Sequence, residues 1–377
     1  MNRIIARSPR SAPARLWKAL NVHFDNFRVW YKITYRRGRI LATEGDAWRS
    51  LDVPAYFENP SLFYHGDGIV PRVEQRAVGH IAGAEVVRFT FPTLHPMKFP
   101  ETNLAVGRLY RNRRAPGAPV VIISHGWAHK TLRTIEHLYV RPFVRAGFSV
   151  AFVAHPLHFE RTPPGTYSGE LVVSADVVLT VEAFRQGVID MIGAANWLRA
   201  GGHRTIGVFG YSLGGYLAGI MAAVRDDWAF AVLGGAGDSP VSPILDTPLG
   251  RNIREDLEAC GMLDRAKLSR AWRVISPAAF RPLVAKERIL LIAGRYDRIM
   301  LPASVRRLWR AWGRPPIHWM NRGHYALLAT NRGLMSRAIP FMKQMTSGAS
   351  AGGGPQDAAP TAGLSGAGRL VRSSNHL

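Results

Sequence analysis

Two rhythms of apolar and polar positions run along this chain. In residues 1–70 the stretch "ARLWKALNVHFDNFRVWYKI" sets Trp17, Leu20, Phe24, Phe27 and Tyr31 three and four apart. That spacing puts them on one face of a helix over about 14–32, with Lys18, Arg28 and Lys32 between them. A stripe of this kind either packs on the body of a protein or lies on a membrane surface, aromatics inserted and cations on the headgroups. Packing on the body is the expected outcome, and "YRRGR" directly after the stripe keeps the membrane alternative in view.

From Ala84 the rhythm shortens to period two and to brief apolar runs. "AEVVRFTFP" and "LAVGRLYRN" read as two antiparallel strands. "PVVIIS" and "FSVAFVA" read as buried strands, and "TIGVFG", "AFAVLGG", "RILLIAG" and "IHWM" as further strands. Between them lie helical segments, among them "LRTIEHLYVRPFVRAG", "VEAFRQGVIDMIGAANWLRAGG", "LGGYLAGIMAAVR" and "PASVRRLWRAWG", with a last helix from about Tyr325. Strands alternating with helices predict an α/β fold with a mostly parallel sheet covered on both faces. Residues 238–283 break the alternation and predict an insertion that caps or walls the site. The expected organisation is a helical extension over 1–70, an α/β domain over 71–346, and a disordered tail of small and polar residues over 347–377.

Composition narrows the class. The chain has 377 residues, 47% of them hydrophobic, enough for one large domain with extensions. No apolar run is long enough for a transmembrane helix, and the basic N-terminus lacks the apolar stretch of a secretory signal. The single cysteine, Cys260, excludes an internal disulfide and fits a reducing compartment, so the cytoplasm is the expected location, with peripheral membrane contact if the stripe faces lipid. The net charge of +23 would suit anionic lipid or nucleic acid, but only seven of the 49 basic residues are lysine and the arginines are spread along the chain. No nucleic-acid-binding motif accompanies the charge, so nucleic acid is not the expected partner.

The chemistry concentrates at "FGYSLGGYLAG". Ser212 follows a strand, precedes an apolar helix, and has Gly210 and Gly214 two residues to either side. A nucleophile on a sharp strand–turn–helix bend needs this arrangement. A serine hydroxyl also needs a base, and the base an acid, in the order serine, acid, histidine. Asp297 in "GRYDRIMLP" and His324 in "NRGHY" follow later strands in that order. All three then sit past strand ends on one sheet edge, where ligands bind in parallel sheets. Asp238, in "GGAGDSP", is the alternative acid. The backbone N–H groups of Leu213 and of Trp127, in "HGWAHK", are the candidate oxyanion donors. His125 and His129, four apart, and His155 and His158 crowd this edge; a zinc site is conceivable there, yet no HExxH accompanies them, and neither metal nor cofactor is expected.

With these residues in view, "SHGW", "GYSLGG", "GRYDRIMLP" and "NRGHY" resemble the α/β-hydrolase superfamily of serine hydrolases over about 84–346. Within it, "HPLHFERTPPGTYSGE", "RQGVIDMIGAANWL" and "GVFGYSLGGYLA" look like the family called α/β-hydrolase domain-containing 18. The resemblance implies an eight-stranded, mainly parallel sheet and hydrolysis of an ester, thioester or amide through an acyl-enzyme. It does not give the substrate. The expected activity is carboxylic-ester hydrolysis of a hydrophobic acyl substrate, a lipid among the candidates. An acyltransferase using the same acyl-enzyme, and an inactive membrane-surface binding protein, are the alternatives.

Overall fold

Strands β4 (Val120–Ser124), β5 (Ser149–Val153), β6 (Ile206–Tyr211), β7 (Ala231–Gly234) and β8 (Ile289–Gly294) bury every residue. Continuous apolar runs of this length suit strands covered on both faces. In the computed structural model, which describes residues 12–34 (side chains to 30), 47–328 and 333–347, they form the middle of a nine-stranded sheet. Its order is β1-β2-β3-β5-β4-β6-β7-β8-β9. β1 (Glu74–Ile81), β2 (Ala84–Pro92) and β3 (Leu104–Asn112) are antiparallel neighbours, β3 meets β5 antiparallel, and the rest through β9 (Ile317–Met320) are parallel. The sheet has one strand more than the resemblance implied. β1 is exposed almost throughout and rich in polar residues, an edge strand without an apolar rhythm to announce it.

The chain leaves β4 toward β5 on one side and returns through the long helix Val177–Ala200 to β6 on the other. Ser124 at the end of β4 therefore pairs with Gly210 near the end of β6. The crevice beyond these two strand ends is where the sheet order reverses, the usual place for a ligand. Residues 238–283 form an insertion of short helices, Val241–Leu245, Arg251–Ala259 and Arg265–Ala271.

The expected N-terminal helix is present as Ala12–Thr34, but it does not pack through its aromatic stripe. Asn21, Asp25 and Val29 are buried, whereas Leu16, Trp17, Leu20, Phe24, Phe27 and Trp30 are 41–62% exposed. The helix rests by its polar edge on the turn Pro248–Gly250 and on the short helix His324–Leu328. Hydrogen bonds to open backbone groups hold it there, so its apolar face is left outward. The side chains of Tyr31 and Lys32, the "YRRGR" segment and the tail over 348–377 lie outside the described residues. Among the described residues no helix is long and apolar enough to cross a membrane.

Candidate active site

β6 ends at Tyr211 and the helix Leu213–Val224 begins two residues later, so Ser212 alone makes the turn. Its backbone sits at φ 57°, ψ −119°. Such a conformation costs a non-glycine residue about 1–3 kcal/mol and persists only where the surroundings impose it. Here backbone at very short range imposes it. A Cβ on Gly210 would stand 2.0 Å from the carbonyl oxygen of Gly214, and one on Gly214 would stand 1.9 Å from that of Ser124. Only glycine fits at either place.

Asp297 lies past β8 and His324 past β9, both nearly fully buried. The Asp297 Oδ1 accepts the backbone N–H groups of Ile299 and Met300 at 2.8 and 2.6 Å. This turns Oδ2 to His324 Nδ1, 2.8 Å away. A carboxylate at Nδ1 holds the ring proton there, and the Nε2 lone pair then faces Ser212 Oγ at 3.0 Å. Asp238 does not reach the histidine. Its carboxylate pairs with the Arg307 guanidinium and accepts from the Ser304 hydroxyl, so the alternative acid is spent on the helix Pro302–Ala311.

Leu213 opens the elbow helix, and Gly126 passes alongside it, where an added Cβ would lie 3.8 Å from that of Ser212. Trp127 follows, its indole N–H donating to the Gly169 carbonyl at 2.6 Å. Both expected oxyanion donors thus belong to residues beside the serine. Of the four histidines, His125 and His129 belong to this loop and His155 and His158 to the one after β5. His125 and His129 occupy a turn, not a helix, so their spacing does not pair them as helical ligands. His125 donates from Nδ1 to the Gly126 carbonyl at 2.8 Å and accepts the His155 N–H on Nε2 at 3.0 Å. His158 likewise donates to the Pro156 carbonyl and accepts the Ala128 N–H. A ring that donates with one nitrogen and accepts with the other is neutral, and both nitrogens are taken. Burial, followed by the neighbouring histidines, pushes His125 and His155 well below the ordinary range. These rings brace the loop, and among the described residues no cluster fits a metal ion.

Two contributions to the site escaped the sequence. The Tyr211 hydroxyl donates to the backbone carbonyl of His324. From the N-terminal helix, Asn21 Oδ1 accepts the Gly323 N–H at 3.0 Å, and the Asp25 carboxylate accepts the N–H groups of His324 and Tyr325 at 2.7 and 3.0 Å. Trp17 adds an indole bond to the Asn321 carbonyl at 2.7 Å. The loop carrying His324 is therefore held from outside the α/β domain. Burial, then the charge of Asp297, raises the Asp25 carboxyl above its ordinary value, against the pull of the N–H groups. The one signal in the sequence was a single acid in an otherwise cationic helix.

Two hollows meet at Ser212. A cleft of about 310 Å³ is lined by His324, Tyr325, Leu138, Leu328, Phe24 and Arg28. A slot of about 40 Å³ is lined by Leu213, Val173, Phe184, Tyr216, Ile244 and Met300. Trp127, Leu249 and Ile299 border both.

No family model matches the chain. It is similar to "Uncharacterized protein Rv2627c" of Mycobacterium tuberculosis, 32% identical over 187 residues, which are 47% of this chain and 42% of that protein. The match spans less than half the length of that relative. It is also similar to "Uncharacterized protein YdjC" of Bacillus subtilis, 30% identical over 101 residues, 27% of this chain and 86% of that protein. Among solved structures it resembles an acetyl xylan esterase from Paenibacillus sp. R4, with a TM-score of 0.57 at 13% identity, covering 81% of this chain and 96% of that one. Acetyl xylan esterase 1 from Thermoanaerobacterium sp. JW/SL YS485 follows with a TM-score of 0.53 at 15% identity, covering 84% and 98%. At such identities the likeness is one of fold.

Proposed function

This chain has the α/β-hydrolase fold and belongs to one family with YdjC of Bacillus subtilis, and on that premise we propose that it is a carboxylic-ester hydrolase acting through Ser212. The observation that carries the reading is the continuous relay from Asp297 Oδ2 through His324 to Ser212 Oγ, at 2.8 and 3.0 Å. Ser212 Oγ attacks the ester carbonyl carbon while His324 Nε2 takes its proton. The Leu213 and Trp127 amides hold the oxyanion. As the carbon–oxygen bond to the alcohol breaks, Nε2 gives the proton to the departing oxygen. Water then attacks the acyl-enzyme by the same route and frees the acid. Asp297 keeps the imidazole oriented and balances its cation. The apolar lining on both sides of Ser212 suits an apolar ester. The two acetyl xylan esterases that share the fold are, by name, esterases, which supports the same class of chemistry. A place near the α/β-hydrolase domain-containing 18 family is part of the proposal and rests on the segments quoted for it. Purified protein should hydrolyse an activated ester, and Ser212→Ala should lower turnover by roughly 10³–10⁶-fold. Unchanged turnover in that variant would overturn the reading.

The outward face of the N-terminal helix favours a place for this chemistry, the surface of an anionic membrane. Six large apolar side chains stand exposed there. The charged side chains described on the outside of this helix, Arg15, Lys18 and Arg28, are all positive, and its one acid is buried. Phe24 and Arg28 belong to the helix and also border the cleft at Ser212. A lipid surface that took up this face would lie against the mouth of the site.

A further inference from the structure

The two hollows at Ser212 are unequal in size and in what lines them, and that inequality bears on which ester the site takes. This step rests on the ester-hydrolase reading. In that reaction His324 must hand its proton to the departing alcohol oxygen. The alcohol therefore lies on the side of Ser212 that His324 borders, and the acyl group lies on the other side, next to the oxyanion donors. His324 borders the cleft and not the slot, whereas Leu213 borders the slot and not the cleft. We infer that the slot receives the acyl group and the cleft receives the alcohol.

Size then selects the substrate class. The slot offers about 40 Å³ against about 310 Å³ in the cleft, so the acyl side takes the smaller part of the ester. Its walls are close-packed side chains that do not yield freely. Phe184 is 1% exposed on the helix Val177–Ala200, Tyr216 is fixed by its hydroxyl to the Ser239 carbonyl at 3.0 Å, and Ile244 and Met300 are also buried. Interiors packed to this density resist an added methylene. The cleft is about 310 Å³, with Phe24, Leu138, Tyr325 and Leu328 offering apolar surface and Arg28 a cation at the rim. The substrate class is a short-chain acyl ester of a bulky and largely apolar alcohol.

The test is kcat/KM of the protein on p-nitrophenyl acetate, propionate, butyrate and octanoate, and on the acetates of ethanol and 2-(2-naphthyl)ethanol, two alcohols of like acidity and unlike size. The expected profile falls by at least about 100-fold from propionate to octanoate, the scale on which a hydrophobic pocket resolves chain length. Ile244→Ala should move the acyl optimum to longer chains and leave the order of the two alcohols unchanged. The naphthylethyl acetate should exceed the ethyl acetate, and a preference for ethyl acetate would overturn the cleft assignment. A flat profile, or one rising toward octanoate in the wild-type protein, would overturn the slot assignment and leave the ester-hydrolase reading standing. Absence of turnover on every ester in the series would overturn that reading, and this inference with it.

Discussion

Asp297 and Asp238 are both aspartates just past the end of a buried strand, and what separates them is the partner each carboxylate meets. Asp297 has two backbone N–H groups on one oxygen and His324 on the other. Asp238 is neutralised by Arg307. Asp297→Asn should therefore lower turnover by roughly 10⁴-fold, because the amide no longer holds the imidazole in its working tautomer. Asp238→Asn should cost less than about 10-fold, since its role is to tie down the helix Pro302–Ala311. A reversed ranking would show that the acid is Asp238. Ser212, Asp297 and His324 were legible in the sequence because each is marked locally, by glycines or by the end of an apolar run, and their order is fixed by the direction of the chain. Asp297 was already the preferred acid; what Asp238 does instead was not legible, because it depends on Arg307, 69 residues beyond Asp238.

At the scale of elements, the N-terminal helix was legible from its spacing, but its docked face was not. The pattern pointed to burial of the aromatic stripe, whereas the helix is held by Asn21 and Asp25, which answer open N–H groups at the start of the helix His324–Leu328. Those partners lie about 300 positions away, with 299 between Asp25 and His324, beyond the reach of any local rhythm. The edge strand β1 was missed for the opposite reason, since an exposed strand carries no apolar alternation. The clamp on His324 has a measurable consequence. Asp25→Ala leaves two N–H groups of the histidine loop without their acceptor and lets the ring shift. Small misplacements of a reacting group cost on the order of 10²-fold, so kcat should fall by roughly 10- to 100-fold with little change in KM. Asp25→Asn keeps one acceptor oxygen and should fall between. An unchanged kcat in the alanine variant would show that the helix merely rests on the domain.

For the whole molecule, the charge of +23 and the exposed stripe combine into one expectation. The protein should sediment with phosphatidylcholine vesicles that contain phosphatidylserine and not with phosphatidylcholine alone. Each basic residue near the surface contributes about 1 kcal/mol, and binding should fade with salt as the Debye length shrinks to about 3 Å at 1 M. Replacing Leu20, Phe27 and Trp30 together by serine should abolish sedimentation and leave hydrolysis of a soluble ester intact. Equal binding to neutral vesicles, or loss of a concentration-dependent dimer in the triple variant, would instead assign the face to non-specific lipid contact or to a second copy of the chain. The parallel part of the sheet was legible because its central strands, β4 to β8, are short apolar runs buried throughout, while β9, at the edge, is only partly buried. The substrate hollows were not, because they are built from residues as distant as Phe24 and Leu328.

The account turns on Ser212 being a nucleophile activated by His324. The most direct measurement is covalent labelling of the purified protein with a fluorophosphonate, with the modified peptide located by mass spectrometry. Labelling should fall on the peptide that contains Ser212, and it should vanish in Ser212→Ala. A protein that takes no label, or an alanine variant that still takes it, would contradict the account.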